Sequence, residues 1–554
     1  MKRAVALFAL LPAFAAAEPH PFNVQDLVML NRVSDPQIAP GGSLIAYQLR
    51  ETDYEANKGV NSIHVARIDG RDAYPGRVTK EGGTATSPRW SVDGNAIYYL
   101  AKAGDTTQVW RQELLDRNAG GKNSRGWHNA KTLVDPVQIT KLPLDVGNFK
   151  LSPDGKRILI SIDVYPDCAD LACTKKRNDD KTKDKATGRL YDKLFVRHWD
   201  TWADGTRSQL FIADIPEGGG VISDARLLSK DIDGDVPSKP FGDDSEYAFS
   251  PDGATVYFGV RIAGRTEPWS TNFDIYSVPA DASAPPKNLT ASNPAWDAWP
   301  LPSADGKTLY YLAMKRPTFE ADRFGIMALD LASGKAREVD PKWDRSAGPL
   351  QLSKDGRSLF TTADDNGDHA LFTIDIASGK ATRLGAAGQV EGFSVRGNDI
   401  VLARSTLKAP ADLFRINASG GRETPVTHAN RARLADVRMG DYEFFTFKGA
   451  DNATVQGYVV KPAGFEKNKR YPVAFLIHGG PQGAWTNDFH YRWNPQTYAG
   501  AGYAVVTVNF HGSTGYGQAF TDSISGDWGG KPLEDLQKGW AAALEKYTFL
   551  DGDR

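Results

Sequence analysis

The residues best suited to chemistry follow an apolar run near the end of the chain. Val473 to Ile477 has the length of a strand buried on both faces, as parallel strands are, and it stops at His478-Gly479-Gly480-Pro481. Glycines leave amide N–H groups uncovered by side chains. N–H groups aimed at a developing oxyanion stabilise the tetrahedral intermediate of acyl transfer. The pattern therefore indicates either an oxyanion loop or a plain Gly-Pro turn after a buried strand.

The segments around this loop predict the start of a sheet. Asp441 to Lys448 and Thr454 to Lys461 have the pattern of antiparallel strands, and Gly502 to Phe510 that of a second buried strand, followed by Gly512-Ser-Thr-Gly-Tyr-Gly517. A helix is predicted from Pro532 to Tyr547. Strand, loop, helix and strand in this order begin a parallel α/β sheet. The apolar face of the predicted helix comprises Leu533, Leu536, Trp540, Leu544 and Tyr547.

A short phrase recurs through the preceding part of the chain. Its regular form is Ser-x-Asp-Gly, and each copy is followed by an apolar strand. Asp-Gly supplies the positive φ that a tight hairpin turn needs. The marker glycines are Gly42, Gly94, Gly155, Gly253, Gly306, Gly356 and Gly397, of which the first and last close altered copies. These copies predict seven similar units.

The spacing of the markers is that of a four-stranded propeller blade. Successive marker glycines are 41 to 61 residues apart, except for a gap of 98 residues between Gly155 and Gly253. That gap holds a charge run from Lys175 to Lys185, which is typical of a solvated loop. We interpret it as an insertion around residues 165–205 in one blade. The predicted fold is an all-β seven-bladed propeller over residues 18–435, followed by an α/β portion over residues 436–554.

Residues 1–17 have the three parts of a secretory signal peptide. Met1-Lys2-Arg3 is a positively charged start, an apolar stretch follows, and Ala15-Ala16-Ala17 suits a cleavage site. A short buried helix is the alternative. Elsewhere the chain has no stretch long and apolar enough to span a bilayer. We therefore predict a periplasmic or secreted location and no membrane span.

The charge and the histidines exclude several classes of partner. The formal net charge is −2 over 554 residues, which gives no electrostatic reason to expect nucleic acid or an anionic membrane as a partner. Small or neutral substrates fit this balance better. The nine histidines show no metal-ligand spacing such as His-x-x-x-His. We predict no metal and no cofactor.

The chain has two cysteines, Cys168 and Cys173. In an oxidising compartment such neighbours close a small loop, whereas a metal site needs more ligands than this segment offers. We favour a disulfide with a local role, because so short a loop removes little entropy from the unfolded chain.

The Asp-Gly propeller followed by His478-Gly-Gly-Pro481 and Gly512-Ser-Thr-Gly-Tyr-Gly517 resembles the prolyl oligopeptidase family of serine peptidases. It is most similar to the branch with dipeptidyl peptidases and acylaminoacyl peptidases, dipeptidyl peptidase 5-type enzymes in particular. The resemblance implies that the propeller covers an α/β-hydrolase domain and admits short peptides. It implies that His478, Gly479 and Gly480 form the oxyanion loop, with the Gly480 N–H as a donor. A homodimer through the hydrolase domain is left open.

The chain departs from the family at the nucleophile. Acyl transfer on this scaffold needs Gly-x-Ser-x-Gly to expose a serine, then an Asp and a His. No such pentapeptide occurs, and at Ser513 the first glycine is replaced by His511. We therefore assign no triad residue to this chain and expect the triad beyond Arg554. An α/β-hydrolase sheet that stops there is incomplete and leaves Val473 to Ile477 as an open apolar edge.

Five residues are candidates for substrate binding. A dipeptidyl peptidase must hold a free α-amino group, and a carboxylate does this by charge-assisted hydrogen bonds. The candidates are Glu267, Asp200, Trp269, Trp485 and Tyr516. The alternatives are ion pairs at blade edges for the carboxylates and ordinary packing for the aromatic residues. His478 has a structural alternative too, as a residue that caps the end of a strand.

Three functions remain open on the sequence. The first is a serine exopeptidase that removes dipeptides or acylated residues through an acyl-enzyme and is inactive as residues 1–554 alone. The second is a non-enzymatic periplasmic scaffold like the TolB propellers, which leaves the last hundred or so residues without a role. The third is an esterase on the same scaffold, which aminoacyl-arylamides and simple esters would distinguish.

Overall fold

The computed structural model describes residues 19–71, 76–114, 135–217 and 220–554. The predicted signal peptide, residues 1–17, lies outside these residues. The described chain has a circular β part and an α/β part that packs on one face of it. It begins with strand β1 (His20–Pro21) and helix α1 (Val24–Met29), which Asn23 caps through the N–H groups of Gln25 and Asp26.

The described residues next form five four-stranded antiparallel sheets and one eight-stranded sheet, in which β26 and β28 pair at His369 and Gln389. We describe the two halves of the eight-stranded sheet separately and call the units blades 1 to 7. Blade 1 consists of β2 (Arg32–Ile38), β3 (Leu44–Asp53), β4 (Lys58–Arg67) and β5 (Gly76–Arg77). Blade 2 consists of β6 (Ala85–Trp90), β7 (Ala96–Ala103), β8 (Thr106–Glu113) and β9 (Val137–Gln138). Blade 3 consists of β10 (Phe149–Leu151), β11 (Arg157–Val164), β14 (Arg207–Asp214) and β15 (Arg226–Leu227), with helix α2 (Leu171–Lys183) and the hairpin β12 (Arg197–His198) and β13 (Thr201–Trp202) inserted after β11.

The remaining four blades follow the same order of strands. Blade 4 consists of β16 (Tyr247–Phe249), β17 (Thr255–Arg261), β18 (Phe273–Pro279) and β19 (Lys287–Asn288). Blade 5 consists of β20 (Asp297–Pro302), β21 (Thr308–Ala313), β22 (Gly325–Asp330) and β23 (Ala336–Glu338). Blade 6 consists of β24 (Gln351–Leu352), β25 (Ser358–Asp365), β26 (Asp368–Asp375) and β27 (Ala381–Leu384), and blade 7 of β28 (Gln389–Arg396), β29 (Asp399–Thr406), β30 (Ala409–Asn417) and β31 (Thr424–Pro425).

The recurring phrase is the turn between the first two strands of a blade. In blade 2, Ser91 Oγ donates to Asp93 Oδ1 at 2.6 Å and accepts the Ala96 N–H at 2.9 Å, while Gly94 has a φ of +73°. Ser152, Ser250, Ser303 and Ser353 make the same pair of bonds. The phrase therefore closes its own turn, with a glycine where the left-handed backbone requires one.

Apolar clusters between successive blades hold the circle together. Tyr98 of blade 2 and Ile158 of blade 3 share one cluster, and Tyr310 of blade 5 and Leu359 of blade 6 share another. Ile45 of blade 1 lies in one cluster with Val401 of blade 7. The ring is therefore closed by packing between its first and last blades.

The insertion in blade 3 differs from the predicted solvated loop. Its charge run forms helix α2, which Asp170 caps by accepting the Cys173 N–H at 2.8 Å. Lys175 pairs with Asp179 at 2.6 Å and Lys176 with Asp180 at 2.5 Å, one helical turn apart. Charges at this spacing support a helix that their density alone does not predict. A disulfide joins Cys168, which precedes the helix, to Cys173 in its first turn, with Cα atoms 5.5 Å apart.

The α/β part follows β32 (Val437–Arg438), which pairs with β1. Its strand order is β33, β34, β36, β35, β37, in which β34 is antiparallel to both β33 and β36, and β36, β35 and β37 are parallel. The strands are β33 (Tyr442–Lys448), β34 (Thr454–Val460), β35 (Tyr471–Leu476), β36 (Ala504–Asn509) and β37 (Leu550–Asp551), and the helices are α3 (Pro495–Gly500), α4 (Gln518–Asp522) and α5 (Lys531–Lys546). The segment before helix α1 contacts the α/β part, because Phe22 packs against Phe489 with ring centroids 5.8 Å apart.

Strand β35 differs from its prediction as a fully buried strand. Pro472 to Leu476 are half-buried, and Ile477 is 55% exposed. The strand pairs with β36 through Leu476, but on its other side β37 pairs with Tyr471 and Pro472 and the Val473 N–H donates to Arg554 O at 2.9 Å. The predicted open edge is thus covered at its start and exposed toward Ile477 in the described chain.

Helix α5 packs most of its predicted face inward, since Leu536, Leu544 and Tyr547 join the apolar clusters and Trp540 stacks on Phe475, but the buried side is shifted relative to the prediction. Leu533, predicted inside, is 50% exposed, whereas Asp535 is fully buried. Pro532, Gly539 and Ala543 are buried on the same side as Asp535. Small residues allow a close approach to β36, since a Cβ on Gly539 would lie 2.6 Å from Val508 Cγ2. The apolar pattern misses the burial of Asp535 because it treats a carboxylate as a surface residue.

Candidate oxyanion site

The candidate site lies where two neighbouring parallel strands end. Strands β35 and β36 are in register from Val473 opposite Ala504 to Leu476 opposite Thr507. The loops that follow them, residues 477–487 and 510–517, therefore emerge at the same edge of the sheet. They are bonded to each other, since the Thr514 N–H donates to Gly483 O at 3.1 Å.

His478 links the two loops. Its Nδ1 lies 2.9 Å from Gly479 O and its Nε2 lies 3.0 Å from Ser513 Oγ. A carbonyl oxygen only accepts, so Nδ1 carries the proton and Ser513 Oγ–H donates to Nε2. The ring stacks on Phe510 with centroids 4.2 Å apart and planes 10° from parallel. His478 therefore links the two loops as a neutral imidazole, through Gly479 O on one side and Ser513 Oγ on the other.

Burial lowers the pKa of His478 below its ordinary value of 6.5. We therefore expect its imidazole to be neutral in the folded chain at pH 6.5. The unfolded chain then binds the proton more readily, so the contribution of His478 to stability is full above pH 6.5 and declines as the pH falls from 6.5 to the lower folded-state value. Imidazole 15N NMR measures both the charge and the tautomer. A doubly protonated His478 ring in the folded chain at pH 6.5 would contradict this assignment.

Gly479 and Gly480 present bare backbone at the mouth of the site. Both residues are exposed, and within the described residues neither amide N–H has a hydrogen-bond partner. Gly480 has a φ of +131°, and a Cβ there would lie 2.9 Å from Gln482 N. Only glycine fits this backbone without a shift. Two free N–H donors on a supported loop are able to stabilise an oxyanion at a developing tetrahedral centre.

Ser513 is not placed to act as a nucleophile. It is fully buried, and its hydroxyl is committed to His478 Nε2. A reacting carbonyl cannot reach a side chain with no exposed surface. The Ser513–His478 pair therefore holds the two loops together, in agreement with the lack of a Gly-x-Ser-x-Gly context.

Asn509, at the end of β36, holds the loop after β35 in place through hydrogen bonds of its side chain. Its Oδ1 accepts the Trp485 N–H at 2.8 Å, and its Nδ2 donates to Trp485 O at 3.0 Å and to Tyr516 Oη at 2.8 Å. Tyr516 Oη in turn donates to Gln456 Oε1 at 2.5 Å. Trp485 and Tyr516, predicted to line the cleft, are half-buried and bonded in this way beside the two loops.

The other three predicted residues lie on the propeller face that meets the α/β part. Loops between the second and third strands of the blades share one face of a propeller. In blades 5 and 6 these loops contact the α/β part, through Arg316 with Asp522 at 2.7 Å and through the Asn366 N–H with Gly515 O at 3.1 Å. Asp200 lies in the corresponding connection of blade 3, and Glu267 and Trp269 in that of blade 4.

Glu267 already has a cationic partner. Arg207 donates to both of its carboxylate oxygens, at 2.8 and 2.9 Å, and these bonds hold the pKa of Glu267 below its ordinary value against the opposing effect of burial. Asp200 is exposed in the turn of the inserted hairpin, next to Trp199, whose ring contacts Phe241 at 5.6 Å. Trp269 is 59% exposed. Of the two carboxylates, Asp200 is the one without an ion pair in the described residues.

Sequence patterns missed the residues that support the loops. Asn509, Asn487 and Asp535 are each nearly or fully buried, and each makes side-chain hydrogen bonds to backbone groups distant in sequence. A buried polar residue at the end of a predicted strand, as Asn509 is, was the one available signal. Among the described residues no group of His, Cys, Asp and Glu is arranged to hold a metal ion, and no helix is long and apolar enough to cross a membrane.

Comparison with known proteins gives one family match and several relatives in sequence. The prolyl oligopeptidase family matches residues 489–554. A dipeptidyl-peptidase 5 of Porphyromonas gingivalis is 29% identical over 538 residues, which cover 95% of this chain and 73% of that protein. A dipeptidyl-peptidase 5 of Arthroderma otae is 34% identical over 392 residues, 67% of this chain and 54% of that protein. The chain thus matches about half of the length of the fungal relative.

Solved structures share the fold. An acylaminoacyl peptidase of Pyrococcus horikoshii superposes with a TM-score of 0.72 at 18% identity, over 96% of this chain and 74% of that one. A puromycin hydrolase superposes with a TM-score of 0.63 at 15% identity, over 96% and 74%. With the family match around β36 to β37 and the relatives in sequence, these structures agree with the arrangement of a propeller and an α/β part. The chain belongs to the prolyl oligopeptidase family.

Proposed function

We propose that this chain carries the oxyanion half of a serine-type exopeptidase, a dipeptidyl or acylaminoacyl peptidase that hydrolyses short peptides through an acyl-enzyme. The observation that supports it most is the pair of N–H groups of Gly479 and Gly480, which have no partner among the described residues and are held by His478 at the edge of a parallel sheet. Family membership and the printed names of relatives support a peptidase over other acyl-transfer enzymes.

The proposed chemistry divides between a serine and this loop. The serine gives its hydroxyl proton to a base, its oxygen adds to the peptide carbonyl, and the N–H groups of Gly479 and Gly480 donate hydrogen bonds to the carbonyl oxygen that becomes negative. Collapse of the intermediate breaks the C–N bond, the amine leaves with the proton held by the base, and the acyl group stays on the serine until water hydrolyses the ester. We assign the serine to none of these 554 residues, because no Gly-x-Ser-x-Gly occurs and Ser513 is buried.

Substrate recognition is proposed for the face between the two parts. Asp200 is the better placed carboxylate for a free α-amino group, because both carboxylate oxygens of Glu267 already accept hydrogen bonds from Arg207. The exposed indole of Trp269 would contact a side chain of the peptide, and Trp485 and Tyr516 would border the cleft from the α/β side. A homodimer through the α/β part stays a prediction.

A periplasmic or secreted location is proposed with this function. Residues 1–17 have the pattern of a signal peptide, and the disulfide between Cys168 and Cys173 suits an oxidising compartment.

Active-site labelling tests the function. We expect a fluorophosphonate probe to label the product of the complete reading frame and to leave residues 1–554 unlabelled, because the probe reacts with an activated serine. Labelling of residues 1–554 would show that a serine within them is the nucleophile. In the labelled product, turnover of dipeptidyl-arylamides, acylated aminoacyl-arylamides and simple esters separates the two peptidase specificities from an esterase, and peptide binding with no labelling or turnover would favour a scaffold.

A further inference from the structure

The tip of one propeller hairpin reaches between the two loops of the candidate site. It joins β25 to β26 in blade 6 and contains Asn366 and Gly367. The Asn366 N–H donates to Gly515 O at 3.1 Å, and Gly367 O accepts the Asn487 N–H at 2.7 Å. The same tip thus bonds to the backbone of both loops.

The tip packs so closely against the α/β part that there is no room for an added Cβ at either glycine of the contact. Gly367 has a φ of +86°, and a Cβ on it would lie 2.6 Å from Gln456 Oε1. Gly515 has a φ of +87°, and a Cβ on it would lie 3.1 Å from the carbonyl carbon of Asp364. Backbone meets backbone here because neither glycine carries a side chain.

Side chains at the base of the tip strengthen the contact. Asp364 Oδ2 accepts from Thr514 Oγ1 at 2.6 Å, while Asp364 Oδ1 lies 2.6 Å from His369 Nδ1. Asn487 is 2% exposed, and its Nδ2 donates to Asp368 Oδ1 at 3.2 Å while its Oδ1 accepts the Leu407 N–H at 3.0 Å. Charge assistance and burial make both contacts stronger than ordinary surface hydrogen bonds.

One more bond connects Thr514 to the glycine loop. The Thr514 N–H donates to Gly483 O at 3.1 Å, three residues after Gly480, and the adjacent Ser513 Oγ donates to His478 Nε2. A continuous set of hydrogen bonds therefore runs from Asp364 of the propeller to the loop that presents Gly479 and Gly480.

We propose that Asp364 and Asn487 are positioning residues through which blade 6 holds the oxyanion loop in its donor geometry. The propeller then supports the chemistry of the site as well as access to it. The consequence for turnover rests on the proposed function, whereas the consequence for the order of the loop does not. The ion pair of Arg316 with Asp522 is a different kind of contact, because it joins blade 5 to helix α4 and bonds to neither loop.

Hydrogen exchange of the chain of residues 1–554 tests the proposal. Thr514→Val and Asp364→Ala each remove the Asp364–Thr514 bond, and Asp364→Asn keeps an acceptor at the same place. We expect the amides of residue 514 and Trp485, each corrected for its intrinsic rate, to exchange about fivefold faster in the first two variants, as for the loss of one hydrogen bond, and at nearly the original rate in Asp364→Asn. The amide of Tyr547, bonded to Ala543 O in α5, reports whether the fold is intact.

Arg316→Ala is the matched control. It breaks a bidentate contact between the same two parts of the molecule, and we expect it to leave Thr514 and Trp485 exchange unchanged. Unchanged exchange in Thr514→Val and Asp364→Ala would overturn the proposal. Equal acceleration in Arg316→Ala would also overturn it, since the loop would then respond to any loosening between the two parts.

Kinetics separate this inference from the proposed function. In a product of the complete reading frame that hydrolyses peptides, we expect Thr514→Val to lower kcat about tenfold with KM little changed, because the donors are misplaced and the substrate contacts are intact. Normal kcat in Thr514→Val would overturn the positioning role and leave the peptidase in place. Absence of any hydrolysis would overturn the peptidase, and the exchange result would still decide the positioning of the loop.

Discussion

Replacing Gly480 by alanine is expected to lower kcat about 10²-fold in a product of the complete reading frame that is active, the loss seen when one oxyanion donor is removed. At a φ of +131° the new Cβ would lie 2.9 Å from Gln482 N and 3.3 Å from Gly483 N. The loop must shift to relieve these contacts, so its N–H groups no longer point at the same place. Steady-state kinetics with an arylamide substrate measure the effect, with KM expected to change little.

Gly479→Ala is the control for this prediction. Gly479 has no heavy atom within 4 Å of an added Cβ, so the substitution adds a methyl group without forcing the backbone to move. We expect a smaller loss of kcat than for Gly480→Ala. Equal losses would mean that bulk at the mouth of the site, and not the direction of the donors, governs the rate.

Replacing Asp535 by alanine is expected to destabilise the α/β part by about 3 to 5 kcal/mol, as for removal of one member of a buried charged or hydrogen-bonded pair. Asp535 is fully buried and accepts the Ala450 N–H at 2.7 Å, the His511 N–H at 2.7 Å and a bond from His511 Nδ1 at 2.5 Å. All three donors lose their partner at once. Urea unfolding followed by hydrogen exchange of the α5 and β36 amides measures the change in free energy of that part.

Glu534→Ala, one residue earlier on α5, is the matched control. Its carboxylate pairs with Lys538 at 2.6 Å, with both side chains about half exposed. An exposed pair one helical turn apart contributes at most about 0.5 kcal/mol. Similar destabilisation by the two substitutions would show that Asp535 contributes through helix propensity or general charge, and would refute its role as a buried acceptor.

The turns of the propeller were predictable because they are local. Ser91, Asp93 and Gly94 satisfy one another and the next strand within six residues, and the same bonds recur in other blades. The position of the glycine loop was predictable for a similar reason, since an apolar strand ends where His478 begins.

Burial of a side chain could be predicted only where the apolar pattern of the sequence also identifies the residues that cover it. Asp535 of helix α5 is buried because its carboxylate accepts hydrogen bonds from His511 and Ala450, and both residues belong to other elements of the fold. Strand β35 is half-buried because β37 pairs with no more than its first residues among those described. Neither partner is visible from the period of apolar residues.

Taken by itself, the sequence determined the recurring blade turn, the glycine loop after a strand and the lack of a Gly-x-Ser-x-Gly serine, since each depends on neighbours within a few residues. The tertiary structure decided that Arg207 occupies Glu267, that Ser513 is buried against His478, and that blade 6 supports the oxyanion loop. The physical reason is that these contacts join residues up to 150 positions apart, as Asp364 and Thr514 are. Closure of the ring and the order of strands bring them together, and no local pattern encodes either.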